Sequence, residues 1–467
     1  MKLFDLRNKI GNKWIWPFAA LIFCFFLINC SPVVLGAKLS ILLFGLSFIS
    51  SVTYLYFRGV KGGAEIRLLF LFGVWLVLSR IINGDYFLSQ DTVQTLLLCM
   101  LFVLPAAGLV LSKDGRRRFL LCAGIVVCVI YTASAVLGIY SAVSGVELIN
   151  PRDGSFITQF SSVSDRLEVF GRNPNYISVC FMAACFFALY FLANTKRAIV
   201  KAIIILVFIL NYVAIGLTYS RNVMLGSSLA FAALLYLPLQ EKLRIKNVRV
   251  KVAALLVVMC ICTPLIYNIY TASRSAVNFA SEIAAPEVHV AVEKNSETTS
   301  SSEKTDERRG MKDTGRLPIW KSVLPVLKND PGRLLAGRVN VMDASNAYFE
   351  EQWFGHGNKE FKGLAKTGGV MYYHNAFIQL LMATGIPGLL IVLAFLVLLA
   401  VHACRVFFAQ EGKTAAGDKI LALLLAALVC YNMFECSIFC NITLASVTFF
   451  IVSGFVIAAS KEIKSMQ

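Results

Sequence analysis

The chain has 467 residues, of which 58% are hydrophobic and only 15% are charged. Soluble globular domains carry about 25% charged residues, so this composition excludes the soluble, fibrous and disordered classes. Apolar runs of about 20 residues recur along most of the sequence, and such runs predict membrane-spanning helices. An outer-membrane barrel would instead show shorter segments of alternating polarity.

Hydropathy predicts twelve membrane-spanning helices, so we expect an all-α, polytopic integral membrane protein. In chain order, the predicted spans are 14–30, 36–57, 67–83, 93–112, 118–144, 173–193, 199–219, 222–238, 252–270, 375–408, 419–435 and 438–459. The first span follows a basic N-terminus but lacks a small-residue cleavage site, so it is interpreted as a membrane helix and not as a signal peptide. Residues 1–270 then hold nine helices, residues 271–373 form one large loop, and residues 374–467 hold the last three helices.

The net charge of +17 is distributed unevenly over the segments between these spans. With the N-terminus inside, the inner segments hold 24 basic and seven acidic residues, and the rest of the chain holds 20 of each. The positive-inside rule therefore predicts that both termini are cytoplasmic and that loop 271–373 lies on the opposite side. Because topology accounts for the whole excess, no nucleic-acid partner is expected.

The large loop 271–373 has parts of different composition. Residues 286–314 are polar and rich in Ser and Thr, so we interpret them as a mobile insert that buries too little apolar surface to fold. Between residues 317 and 327, apolar side chains recur at helical spacing, with Pro318 in the first turn and Pro325 as a predicted kink. This pattern predicts an amphipathic helix on the membrane surface or above a cavity. The loop contains no cysteine, so no disulfide framework holds it.

A further helix is predicted to begin at His374 and Asn375, at the outer edge of the membrane. Its apolar run is interrupted by Gly385, Pro387 and Gly388, which predict a broken helix. Such a break is tolerated in a membrane where it packs in protein or lines a cavity.

Three residues at the outer face could move a proton or bind an anion. His374 opens a helix, where the positive end of the helix dipole disfavours the imidazolium and leaves a neutral ring that can accept a proton. Arg221 lies in a tight turn between two spans, and Arg316 begins the amphipathic helix. The alternatives are a histidine that caps or snorkels, a snorkelling Arg221 and an ordinary solvated Arg316.

Together these residues suit a phosphorylated, lipid-borne donor. A guanidinium binds phosphate through two parallel hydrogen bonds and stays charged at any relevant pH. The outer segments lack an obvious cluster of carboxylates for a divalent metal. We therefore expect protein cations to balance the phosphate charge, with no metal and no cofactor.

At these residues the sequence resembles the bacterial O-antigen ligase family, within the O-antigen ligase/polymerase superfamily of membrane glycosyltransferases. His374-Asn375, nine further residues and Gly385-Ile386-Pro387-Gly388 resemble the H[NS]-x9-GxxG pattern of that family. The other similar elements are Arg221–Leu225 (R-x3-L), Arg316–Trp320 (R-x-x-x-W), Gly355-His356-Gly357 (G-x-G) and Arg172-Asn173-Pro174-Asn175 (PN). The insert 286–314 and the stretch 333–352 are longer than the family pattern leads us to expect.

The resemblance implies a GT-C-type glycosyltransferase of the bacterial inner membrane whose active site faces the periplasm. Its donor would be O-antigen polysaccharide on undecaprenyl diphosphate, and its acceptor would be lipid A-core. The protein would be surrounded by membrane lipid. His374 would be the general base toward the acceptor hydroxyl, and Arg221 and Arg316 would bind the donor diphosphate. Direct displacement without a metal would invert the anomeric centre. Supporting roles are implied for Asn375, Trp320, Arg172, Asn173 and Asn175.

Three alternatives stay open at this point. An O-antigen polymerase would use the same donor with a second lipid-linked glycan as acceptor, and a protein O-oligosaccharyltransferase would use a protein acceptor. A polysaccharide transporter or flippase is a different class, which would place charged residues along a path near the bilayer midplane. Here the charged residues gather at the outer mouth instead.

Overall fold

The computed structural model describes residues 63–82, 99, 101–102, 104–149, 156–161, 166–169, 174–243, 247–284, 320, 323, 327–328, 331–337, 374–409, 415–436, 438–439 and 443–466. The predicted spans 14–30 and 36–57 and the predicted insert 286–314 lie outside the described residues. Of the predicted amphipathic helix, four residues are described, and they are helical: Trp320, Val323, Leu327 and Lys328.

The described part of the chain consists mainly of helices. They are α1 (Ala64–Ile82), α2 (Leu104–Val110), α3 (Lys113–Ser144), α4 (Pro174–Asn194), α5 (Ala198–Thr218), α6 (Arg221–Leu243), α7 (Val248–Ala284), α8 (Gly332–Ala336), α9 (Ala376–Phe407), α10 (Ala416–Asn432) and α11 (Leu444–Ser465). Seven of these helices, α3 to α7, α9 and α11, are long and apolar enough to cross a membrane. A polytopic helical membrane protein is therefore confirmed, and the total of twelve spans stays a prediction.

The bundle has central and peripheral helices. Nearly every side chain of α11 is buried, and most of α4 is buried as well. In contrast, α5 and α7 expose most of their apolar surface, as expected for helices that face lipid. The core therefore lies around α4 and α11, which carry no charged side chain along their buried lengths.

Helix α7 is longer than its predicted span 252–270, because it continues to Ala284. The extra residues contain no Gly or Pro, and alanines recur at every fourth position from Ala272 to Ala284. Alanine has the highest helix propensity, so the helix continues after the apolar pattern ends. This extension carries Arg274 beyond the predicted span.

A small antiparallel sheet lies between α3 and α4, an element that the sequence did not predict. Its strands are β1 (Leu148–Ile149), β2 (Phe156–Ser161) and β3 (Arg166–Val169), in the order β1-β2-β3. Thr158 pairs with Val169, and Ser161 pairs with Arg166. Leu167 and Val169 point inward and are fully buried, as the two-residue period of a strand requires. The inward face of β3 thus packs on the bundle and holds Arg166 at its edge.

Four helix ends meet at one end of the bundle in an ionic cluster, here called the basic-end cluster. It contains Glu65, Arg116, His402, Arg405, Ser460, Lys461 and Glu462. Glu65 Oε1 lies 2.6 Å from His402 Nε2, and its Oε2 accepts a hydrogen bond of 3.3 Å from Lys461. The start of α1, the start of α3, the end of α9 and the end of α11 are therefore on the same side, in agreement with the alternating order of the predicted spans.

Helix α9 is broken at Gly385, as predicted, with φ 70° and ψ −174° at that residue. The break is packed in protein. Trp75 Nε1 donates a hydrogen bond of 2.7 Å to the Thr384 carbonyl, which precedes the break. The one-turn helix α8 lies against the same point, since a Cβ added to Gly385 would meet the Leu335 carbonyl oxygen at 2.5 Å. Ser79 donates a hydrogen bond to the Ala336 carbonyl, so α1 binds both the break and α8.

Candidate active site

His374 lies at the start of α9, and its surroundings hold it tightly. Asn375 is the N-cap residue, and its Oδ1 accepts hydrogen bonds from the amides of Phe377 (3.0 Å) and Ile378 (3.1 Å). Asn375 Nδ2 donates a hydrogen bond of 2.9 Å to the Met433 carbonyl, at the end of α10. The predicted helix start is thus confirmed, and the cap side chain fixes it to a neighbouring helix.

The imidazole of His374 faces a buried carboxylate. Its Nδ1 lies 3.3 Å from Glu435 Oε2, and the side chain of Glu435 is only 1% exposed. The histidine side chain itself is 32% exposed, so the ring is partly accessible although its Nδ1 faces the buried carboxylate.

Asn175 and Arg166 extend this arrangement. Asn175 Nδ2 donates a hydrogen bond of 2.8 Å to Glu435 Oε1, and Arg166 donates one of 2.8 Å to Asn175 Oδ1. Asn175 is in the first turn of α4, and Tyr431 donates to its carbonyl at 3.3 Å. We call Arg166, Asn175, His374 and Glu435 the histidine cluster, because these residues form one continuous set of contacts that ends at His374.

The same set of contacts reaches the turn that carries Arg221. Arg166 Nε donates a hydrogen bond of 2.8 Å to the carbonyl of Thr218, the last residue of α5. Arg221 begins α6 three residues later. Its guanidinium lies 5.3 Å from the centre of the Tyr219 ring, and that of Arg274 from α7 lies 4.3 Å from the same centre. Two guanidiniums therefore flank one aromatic ring, an arrangement stabilised by cation–π attraction.

Both ends of this set of contacts have an unusual backbone. Among the described residues, the non-glycine residues with positive φ are Tyr219 and His374, each at 49°. This left-handed conformation costs about 1–2 kcal/mol for an L-residue. Strained backbone conformations of this kind persist where the surrounding structure fixes the residue, and they are found most often at active sites.

The structure brings together some of the residues singled out in the sequence. His374, Asn375, Asn175 and Arg221 are joined through the contacts above. Trp320 is helical and half-buried. Arg316, Arg172 and Asn173 lie outside the described residues, so their proposed roles stay predictions.

Sequence reasoning missed Glu435, Arg166 and Arg274. A signal was present for Glu435, because an acidic residue at the end of an apolar span is costly unless a partner stabilises it. For Arg166 and Arg274 no signal was available, because one depends on an unpredicted strand and the other on the unpredicted extension of α7.

The fold and site define a multi-pass membrane protein with a half-exposed histidine and arginines at one end of its bundle. Residues 205–393 match the model of a family described as O-antigen ligase, and this match supports the O-antigen ligase superfamily for that segment of the chain. That superfamily comprises glycosyltransferase-like enzymes of the ligase and polymerase type. No curated protein matches the chain. The matched segment includes Arg221, Arg274 and His374, whereas Arg166, Asn175 and Glu435 lie outside it.

Proposed function

We propose that this protein is an O-antigen ligase. It transfers O-antigen polysaccharide from undecaprenyl diphosphate to lipid A-core at the periplasmic face of the bacterial inner membrane. The observation that carries the proposal is the partly exposed His374 imidazole beside the buried Glu435 carboxylate, in a chain segment that matches the O-antigen ligase family.

The proposed reaction is a direct displacement at the anomeric carbon of the donor sugar. An acceptor hydroxyl oxygen forms the new bond to that carbon while His374 takes the hydroxyl proton. The bond between the anomeric carbon and the diphosphate oxygen breaks, and the diphosphate leaves with the electron pair. A single displacement inverts the anomeric centre.

The arginines supply the charge that the leaving group needs. Arg221 contacts one face of Tyr219, and its planar guanidinium can bind two phosphate oxygens at once. Together with Arg316, it balances the negative charge of the diphosphate before and after bond cleavage. Since diphosphate is a good leaving group, one base and these cations form a sufficient set without a protein acid and without a metal.

Deletion of the gene in its own bacterium tests this proposal. The strain is complemented with wild-type protein or with His374→Ala, and both lipopolysaccharide and lipid-linked glycan are analysed. A ligase predicts bare lipid A-core and accumulation of full-length undecaprenyl-linked polymer in the deletion strain and with His374→Ala. Core that carries a single repeat would instead indicate a polymerase, and unchanged lipopolysaccharide would contradict both. A change restricted to glycosylated proteins would indicate a protein O-oligosaccharyltransferase.

A further inference from the structure

We infer that Glu435 is a positioning residue that selects the tautomer of His374 and stabilises its protonated form during transfer. This inference rests on the proposed function, because it concerns the base of that reaction. Nδ1–H of His374 donates to Glu435 Oε2, so the proton is held on Nδ1 and the lone pair is on Nε2. Nε2 is then the atom that accepts the acceptor proton.

The burial of Glu435 supports a role beyond stability. Its side chain is 1% exposed, and placing a carboxylate in such a site costs more than placing an apolar residue of similar volume there. The fold alone would therefore be served by Leu or Met at this position. A buried carboxylate at this position is useful if its negative charge is needed. It would stabilise the positive imidazolium that forms when His374 accepts a proton.

The two carboxylate oxygens of Glu435 have different partners. Oε1 accepts the hydrogen bond from Asn175, which fixes the carboxylate plane. Oε2 faces His374. Because the side-chain amide of Asn175 is itself oriented by Arg166, the carboxylate cannot rotate away without breaking several contacts. A buried acid behind a histidine is the arrangement that orients the base in Ser-His-Asp triads.

The histidine cluster also connects the base to the turn that carries Arg221. Arg166 binds both Asn175 and the Thr218 carbonyl, and Thr218 precedes the turn of Tyr219 and Arg221. One set of hydrogen bonds thus links the base to Thr218, at the end of the helix that precedes the turn with Arg221. Precise placement of a base and a leaving-group cation is a large part of what an enzyme contributes to such a displacement.

The test uses purified full-length protein in detergent with lipid-linked donor and lipid A-core. Glu435→Gln keeps the shape of the side chain and removes its charge. Glu435→Asp keeps the charge but moves it away from His374, because the side chain is one methylene shorter. We expect kcat to fall by about 10- to 100-fold in Glu435→Gln, less than the loss of 10²–10⁴ expected without the base itself. The KM for the donor should stay within about threefold, and Glu435→Asp should recover part of the rate. Glu462→Gln, which alters the basic-end cluster, is the matched control and should leave kcat unchanged.

Epistasis separates a positioning role from a structural one. If Glu435 acts through His374, the double variant His374→Ala/Glu435→Gln should be no slower than His374→Ala alone. A merely structural Glu435 would slow both backgrounds by the same factor. That result would overturn the inference, and so would a normal kcat in folded Glu435→Gln.

A spectroscopic measurement makes the inference independent of the reaction. The chain has four histidines, so ¹⁵N-histidine labelling with a His374→Gln subtraction can assign the His374 ring nitrogens by NMR. We expect the proton on Nδ1 in the wild-type protein and a mixture of tautomers in Glu435→Gln and Glu435→Asp. A tautomer that does not respond to either variant would contradict the inference. If the tautomer responds but wild-type protein transfers no O-antigen, the proposed function fails, while the selection of the His374 tautomer by Glu435 stands.

Discussion

At the scale of single residues, His374 is the group whose loss should be the most informative. It combines a strained backbone, a capped helix start and a half-exposed ring. In purified His374→Ala, we expect donor binding to survive and transfer to fall by about 10²–10⁴-fold, the usual contribution of a general base. A histidine that only capped the helix would instead reduce the yield of folded protein. Near-normal turnover by well-folded His374→Ala would contradict the assignment.

The two sequence-predicted arginines should be sensitive even to a change that keeps their charge. Arg221→Lys and Arg316→Lys replace a planar fork by a single ammonium, which cannot form two parallel bonds to phosphate. Hydrogen bonds to charged groups are worth about 1.5–3 kcal/mol, so we expect kcat/KM for the donor to fall by roughly 10- to 100-fold. Arg249→Lys, at an exposed position near the start of α7, is the control and should not change it. Equal activity of all three variants would argue against phosphate binding by Arg221 and Arg316.

How much of the site the sequence could predict depends on the distance along the chain between its parts. His374 and Asn375 carry a local signal, because a helix start has its own residue preferences, and Arg221 has one because a charge in a tight turn between spans is costly. Glu435 is 61 residues from His374 in sequence. No periodic pattern relates two residues at that separation, and their contact exists because α9 and α10 pack together.

At the scale of elements, the break in α9 is the point where α1, α8 and α9 pack together. Gly385 has a backbone conformation that is essentially restricted to glycine, and its missing Cβ leaves room for the Leu335 carbonyl of α8. We expect Gly385→Ala to cost about 1–3 kcal/mol in strain and to displace α8 as well. Thermal unfolding in detergent should show a clear fall in midpoint, together with reduced transfer.

Gly145 provides a matched control for this substitution. It has φ 69°, and a Cβ added there would meet nothing within 4 Å. Gly145→Ala should therefore lose only the stability that its left-handed backbone conformation costs, about 1–2 kcal/mol, and leave transfer unchanged. If both variants lost stability and activity equally, the contact between α8 and α9 would be irrelevant to the site.

Elements were predictable where their signal is repeated over many residues. The apolar runs of α3, α4 and α9 extend over several turns, and the Gly and Pro residues of α9 mark its break directly. The sheet had no such signal, since β3 has four residues and β1 only two. Its strands form because Leu167 and Val169 find apolar contacts on the bundle, which is tertiary information.

At the scale of the whole molecule, orientation in the membrane is the central prediction. The basic-end cluster gathers the helix ends that the charge distribution predicts to be cytoplasmic, and the histidine cluster lies at helix ends predicted to be periplasmic. We expect reporter fusions at Asn247 and Gln467 to be cytoplasmic, and a fusion at Ser300 to be periplasmic. A cytoplasmic reporter at Ser300 would invert the topology and remove the active site from the side where the proposed substrates are.

The contact of α8 with α9 has a consequence for how the protein can diversify. Gly337 packs against Ala383, and the polypeptide enters α9 at Ala376, about two helical turns or roughly 10 Å away. The two ends of the intervening segment, Gly337 and Ala376, therefore lie close together. Closing a longer segment over a fixed gap raises the entropic cost only slowly, by about 0.6 kcal/mol for each doubling in length. Residues 338–373 can thus be exchanged or lengthened at a small entropic cost, while Gly337 and Ala376 keep their places beside α9.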